Sequence, residues 1–181
     1  LIGERLGDDE KTYYLLVGNS LLIAAQVGVF SLNMTSAERW AGTLPLLVAS
    51  PSSPVVVFSA RGSYLAIDGA LSALGALFIA GPLFGMDLPW PRVLAVVPLT
   101  VVVGLASYGF GTFLAGIVFR YRSINSLVVV TTYVALMAAC GVNVPLDYYP
   151  AALELLSRFL PLTNGLLAIR GVFEGAPWSE I

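Results

Sequence analysis

Histidine is absent from this 181-residue chain, and cysteine occurs once, as Cys140. Without an imidazole there is no Ser-His-Asp triad, no Cys-His pair, no histidine metal ligand and no imidazole proton shuttle. One thiol excludes an intrachain disulfide and a cysteine-rich zinc or iron–sulfur site. Cys140 sits in an apolar run and reads as a small buried hydrophobe. Charge is also scarce: 11% of residues are charged, the net charge is -2, and Lys11 is the only lysine. That leaves no basic footprint for nucleic acid. It also leaves no Gly-x-x-x-x-Gly-Lys-Ser/Thr loop to cradle nucleotide phosphates. No catalytic residue and no metal site is expected on this chain.

What is present is apolar. Hydrophobic residues make up 57% of the chain, and the mean hydropathy is +0.86. Soluble domains sit near ~45–50% apolar and ~25% charged. A chain this small cannot hide so much apolar surface from water, and disorder requires the opposite composition. The charge-free gaps give the organisation. Residues 12–37, 93–119 and 123–146 contain no charge, and 62–86 contain only Asp68. A helix needs ~20 apolar residues to cross the hydrocarbon, and a backbone in lipid must satisfy its own hydrogen bonds. The gaps predict four helical spans at about 12–33, 55–83, 93–119 and 124–145. A β-barrel would need alternating polarity, which runs such as VVVTTYVALMAAC do not show. The expected fold is all-α: an integral membrane bundle of transmembrane helices, forming one domain.

Orientation follows the arginines. Arg39 and Arg61 fall between the first and second spans, and Arg120 and Arg122 between the third and fourth. Both connections lie on one side, placed in the cytoplasm; Arg92 lies on the other. Tyr13, Tyr14, Trp90, Tyr121, Tyr148 and Tyr149 are placed at membrane interfaces. In the third span, Ser107 and Gly111 share a face, which lets a neighbouring helix approach closely, and Pro98 is expected to bend or shorten its start. Asp68 is the one charge well inside a span. It is read either as paired or hydrated at an inner vestibule, or as a pathway residue.

Two segments are too short or too polar to span. In Ser36–Pro51, Ser36 is a plausible N-cap, and Trp40, Leu44, Leu47 and Val48 recur at helical spacing. This predicts a short amphipathic helix, either an interfacial anchor or a docking element. In Pro150–Gly175, Pro161 divides two helical pieces, and Glu154 and Arg158 form an i,i+4 pair. A re-entrant hairpin or an interfacial helix pair fits.

In this order, the segments resemble the membrane subunit of an ABC-2-type ATP-binding-cassette exporter. Glu38, Arg39, Gly42, Thr43, Leu44, Leu46, Leu47 and Pro51 are similar to the family's coupling-helix motif. Val142, Pro145, Pro150, Leu160-Pro161-Leu162-Thr163 and Arg170 resemble its outer segment, and Arg120-Tyr121-Arg122 its inner loop. Pro45 departs from the usual polar or acidic residue, so the coupling helix is expected to begin later or bend there. The resemblance implies a six-span permease in the plasma (inner) membrane, with its first and last spans beyond Leu1 and Ile181. It implies a second permease, identical or not, and a separate ATP-binding subunit that holds ATP and Mg2+. Glu38, Arg39, Trp40, Gly42, Thr43, Leu44 and Leu47 would contact that subunit. Asp68, Pro161, Thr163 and Arg170 are candidates for the pathway or its gate, and a lipid-like or amphipathic drug-like cargo is expected. An ion-coupled secondary transporter and an integral-membrane enzyme are the alternatives.

Overall fold

The computed structural model describes residues 9–43, 45–46, 49, 51–85, 90–120 and 124–175. Among them there is no β-strand; the elements are seven α-helices and one short 3-10 turn. They are α1 (Asp9–Val29), α2 (Ser31–Trp40), α3 (Pro54–Leu83), α4 (Trp90–Arg120), α5 (Asn125–Ala139), α6 (Ala151–Arg158) and α7 (Pro161–Glu174), with the 3-10 turn at Leu146–Tyr148. Three stretches are long and apolar enough to cross a membrane: Lys11–Met34, Gly62–Leu83 and Leu94–Val118. The first runs through the α1–α2 junction at Phe30. The fold is an all-α membrane helix bundle.

Helix α1 is the axis of the bundle. Two thirds of its spanning window (67%) is buried, against 39% for α3 and 33% for α4. It packs on α3, α4 and α7, and α4 touches α2, α3 and α7 in turn. Small residues permit this closeness. A Cβ on Gly111 would lie 2.6 Å from Ser31 Oγ and 2.8 Å from the Val29 Cα, and one on Gly28 would lie 2.9 Å from the Tyr108 nitrogen. Gly104 meets the Ala66 carbonyl at 2.7 Å in the same way. The Gly104-Ser107-Gly111 face of α4 is therefore the contact surface. Gly109 and Gly116 face open space.

Helix α4 continues unbroken through Pro98 rather than starting after it. The fourth apolar run differs from expectation. It is helical only over Asn125–Ala139, roughly 22 Å at 1.5 Å per residue, short of the ~30 Å hydrocarbon core. The helix stops because Gly141 takes a left-handed φ of +72° and Pro145 soon follows. The non-helical Gly141 and Val142 are buried inside the bundle, a setting in which irregular backbone persists at membrane depth.

The outer pair forms as the sequence suggests, with α6 and α7 meeting at 88°. Pro161 opens α7 at its first turn, where its missing N–H has no partner to lose. Gly175, at φ +82°, ends it.

Gly111→Val should drive a branched side chain into α1 and cost about 1–3 kcal/mol, read as a lower melting temperature in detergent. Gly116→Ala, on the open side, should leave that temperature unchanged.

Candidate functional site

Two regions carry polar chemistry, one at each end of α1. The first is the end of α2. The helix expected from Ser36 onwards instead starts at Ser31 and finishes at Trp40, so Ser36 is interior and not an N-cap. The cause is Gly42, whose φ of +69° is cheap only for glycine. The Thr43 N–H donates to the Glu38 carbonyl at 3.1 Å, and the Ala41 N–H to Ala37 at 2.9 Å. This six-to-one closure with a left-handed glycine is a Schellman ending. The Thr43 hydroxyl also hydrogen-bonds the Glu38 carboxylate. Glu38, Gly42 and Thr43 thus form a lock that ends the helix. The single apolar stripe expected along one helix is interrupted there. Leu44, Leu47 and Val48 lie outside the described residues, as does the side chain of Arg39.

Beyond the lock the surface is apolar and open. Trp40 is 82% exposed and Leu46 73% exposed. Pro45 and Leu46 are helical again, with the Ala49 N–H donating to the Pro45 carbonyl at 2.9 Å, so helix resumes beyond Thr43, as the proline departure led us to expect.

The second region is built around Arg170 on α7, which is 7% exposed. Its Nη1 donates to the Gly141 carbonyl at 2.9 Å, and its Nη2 to the carbonyls of Tyr14 (3.2 Å) and Val142 (3.3 Å). The guanidinium carbon lies 3.4 Å from the centre of the Tyr14 ring, and the Tyr14 hydroxyl donates to Gly141 at 2.7 Å. Carbonyls and a ring therefore hold this cation. Bare burial of an ion costs several kcal/mol. Hydrogen bonds to a charged group return about 1.5–3 kcal/mol each, and a desolvated cation–π contact about 2 kcal/mol. The arrangement fastens α7 to α1 and to the chain after α5. Gly18 makes room, since a Cβ there would lie 2.5 Å from the Val142 oxygen and 2.9 Å from Nη2. Beside it, the Tyr13 and Phe173 rings meet edge to face at 5.6 Å, and Arg92 Nη1 donates to the Phe173 carbonyl at 2.7 Å.

Of the four pathway candidates, Thr163 and Arg170 line one crevice beside Tyr14, and Asp68 and Pro161 lie away from it. Asp68 lies on the exposed face of α3, Pro161 begins α7, and Thr163 and Arg170 are buried. Tyr13 and Tyr14, expected at the interface, lie near the start of the first spanning stretch with their rings packed on Phe173 and Arg170. Sequence reading missed Tyr14 and Gly18 as partners of Arg170, because more than 150 residues separate Tyr14 from Arg170. Among the described residues no group of three or more His, Cys, Asp or Glu could hold a metal.

The profile of the ABC-2 type transporter family matches residues 5–173. The chain belongs to that family. It is the membrane permease part of an ABC-type transporter, a multi-pass membrane protein and not itself a catalyst. Members of this family work with an ATP-binding-cassette partner. No curated protein and no solved structure matches this permease.

Two outcomes follow for its polar regions. Arg170→Gln should cost about 3 kcal/mol or more by leaving carbonyls and cavity uncompensated, seen as lost hydrogen-exchange protection across α7; Arg158→Gln, at an exposed pair, should change it little. Gly42→Ala should strain the left-handed turn by about 1 kcal/mol and speed exchange at the Thr43 amide.

Proposed function

We propose that this permease exports a lipid-like or amphipathic drug-like molecule across the plasma (inner) membrane, driven by ATP hydrolysis on a separate subunit. The observation that carries the coupling reading is the locked end of α2, which presents exposed Trp40 and Leu46 at the end of the bundle. In the sequence, Arg39, Arg61, Arg120 and Arg122 fall in the two connections on this side, which the positive-inside rule assigns to the cytoplasm. An ATP-binding subunit would seat Trp40, Leu44 and Leu47 in an apolar groove and meet Arg39 at its rim. Glu38, Gly42 and Thr43 would act by holding the indole in place. ATP and Mg2+ would belong to that partner.

The linkage to transport runs through α1. Helix α2 joins α1 after the single residue Phe30, and the stretch that α1 begins is the most enclosed of the three spanning stretches. A push on Trp40 is therefore delivered along a packed rod to Tyr14, where Arg170 holds α7. Coupling of this kind needs an element with two arrangements that both sites bias. The α6–α7 hairpin would be that element, with Pro161 at its bend and Thr163 and Arg170 on its inner face. A second permease, identical or not, would complete the pathway. Asp68 would face that pathway, because a carboxylate facing lipid is costly.

Trp40→Ala should cut transport in proteoliposomes by about ten-fold, the equivalent of one apolar anchor, while vanadate-sensitive ATPase activity and the melting temperature persist. Wild-type transport by Trp40→Ala would remove the docking role. An ATPase subunit should also co-purify in equimolar amount.

A further inference from the structure

At the end of the bundle opposite Trp40 a partly open crevice of about 230 Å³ lies between α7, the start of α1 and the chain following α5. Its wall includes Tyr14, Thr163, Leu167, Arg170 and Glu174. Clamping α7 does not use everything Arg170 offers: its Nε is buried and has no hydrogen-bond partner. An orphaned guanidinium nitrogen in a cavity wall is unusual, since buried polar atoms are nearly always paired.

The order of residues along α7 is informative. Leu167, Arg170 and Glu174 are spaced three and four apart and share one face. Leu167 is 49% exposed and lies deepest. Arg170 follows at the next turn, and the exposed Glu174 lies at the helix end. The polar boundary of the membrane is at that end. Tyr14 is three residues inside Lys11, where the first spanning stretch begins, and Arg92, two residues before the α4 stretch, bonds the Phe173 carbonyl. From inside to water the wall therefore reads apolar, cationic, anionic. A phospholipid with a phosphate and a terminal amine reads acyl chain, anion, cation. The two sequences are complementary at each step.

We propose that the crevice binds the headgroup of a zwitterionic phospholipid, with the phosphate toward Arg170, the amine toward Glu174, and an acyl chain along Leu167. An anionic lipid lacking the amine would set negative charge against Glu174 and bind less well. The site stands apart from the proposed coupling at Trp40 and does not depend on it.

Arg170 also holds the bundle together, so the informative substitution is Glu174→Gln, at an exposed position outside the clamp. The complete protein in detergent would be titrated with phosphatidylethanolamine, phosphatidylglycerol and water-soluble glycerophosphoethanolamine, with bound lipid counted by native mass spectrometry. The wild type should prefer phosphatidylethanolamine over phosphatidylglycerol by about five-fold, the size of one partly exposed ion pair. Glu174→Gln should lose that preference and still bind both lipids. The soluble headgroup should bind at least about ten-fold more weakly than the lipid, for want of acyl contact. Equal binding of the two lipids by the wild type overturns the proposal, as does an unchanged preference in Glu174→Gln. A soluble headgroup that binds as tightly as the lipid overturns the assignment to a membrane lipid.

Discussion

A buried guanidinium held by backbone carbonyls ties this bundle together. Arg170 bonds Gly141, Val142 and Tyr14 at once, and those residues lie on segments that no short loop connects. The fold must leave carbonyls unspent for this purpose. Helix α5 supplies them by ending early. Had the helix run on beyond Leu146, the Leu146 N–H would have taken up the Val142 carbonyl in its own ladder. The shortness of α5 and the burial of a cation are thus two sides of one arrangement. Each would be costly without the other.

Helix α1 gives that arrangement reach. It carries Tyr14 at one end and, through α2, Trp40 at the other, a path of roughly 39 Å at helical rise. Along the way its backbone touches α4 at Gly28 and the Gly104-Ser107-Gly111 face. Such contacts rely on dispersion and fit, which fall away steeply with distance. The two polar ends of the molecule are therefore joined by one closely packed run of helix, broken at Phe30 alone.

Much of this was legible in the chain. Gaps between charges gave the spans, because an ionised side chain in hydrocarbon is expensive wherever it falls. Pro161 gave the hairpin bend, because proline ends one helix and opens the next. Ser107 and Gly111 gave the packed face of α4. Other features were hidden for identifiable reasons. The apolar run around Cys140 continues through Val142 and Val144, so hydropathy cannot see that the backbone leaves the helix at Gly141. The ending of α2 at Gly42 was obscured because Trp40, Leu44 and Leu47 keep helical spacing across it. The partnership of Tyr14 with Arg170 is a product of tertiary folding, and nothing local marks it. The family motif Glu38, Gly42 and Thr43 was visible as a pattern. Its meaning as a helix terminator came only with the hydrogen bonds.

The left-handed glycine after α2 has a geometric effect on the indole next to it. Each helical residue turns the chain by about 100° and advances it by about 1.5 Å. Because the termination point is pinned by Gly42 and Thr43, the azimuth of Trp40 around the rod is set to within a fraction of one residue. A single insertion between Phe30 and Gly42 would swing the ring to a different quadrant of the cylinder without disturbing any span. The glycine therefore works as an indexing stop, fixing the compass bearing of the exposed Trp40 indole.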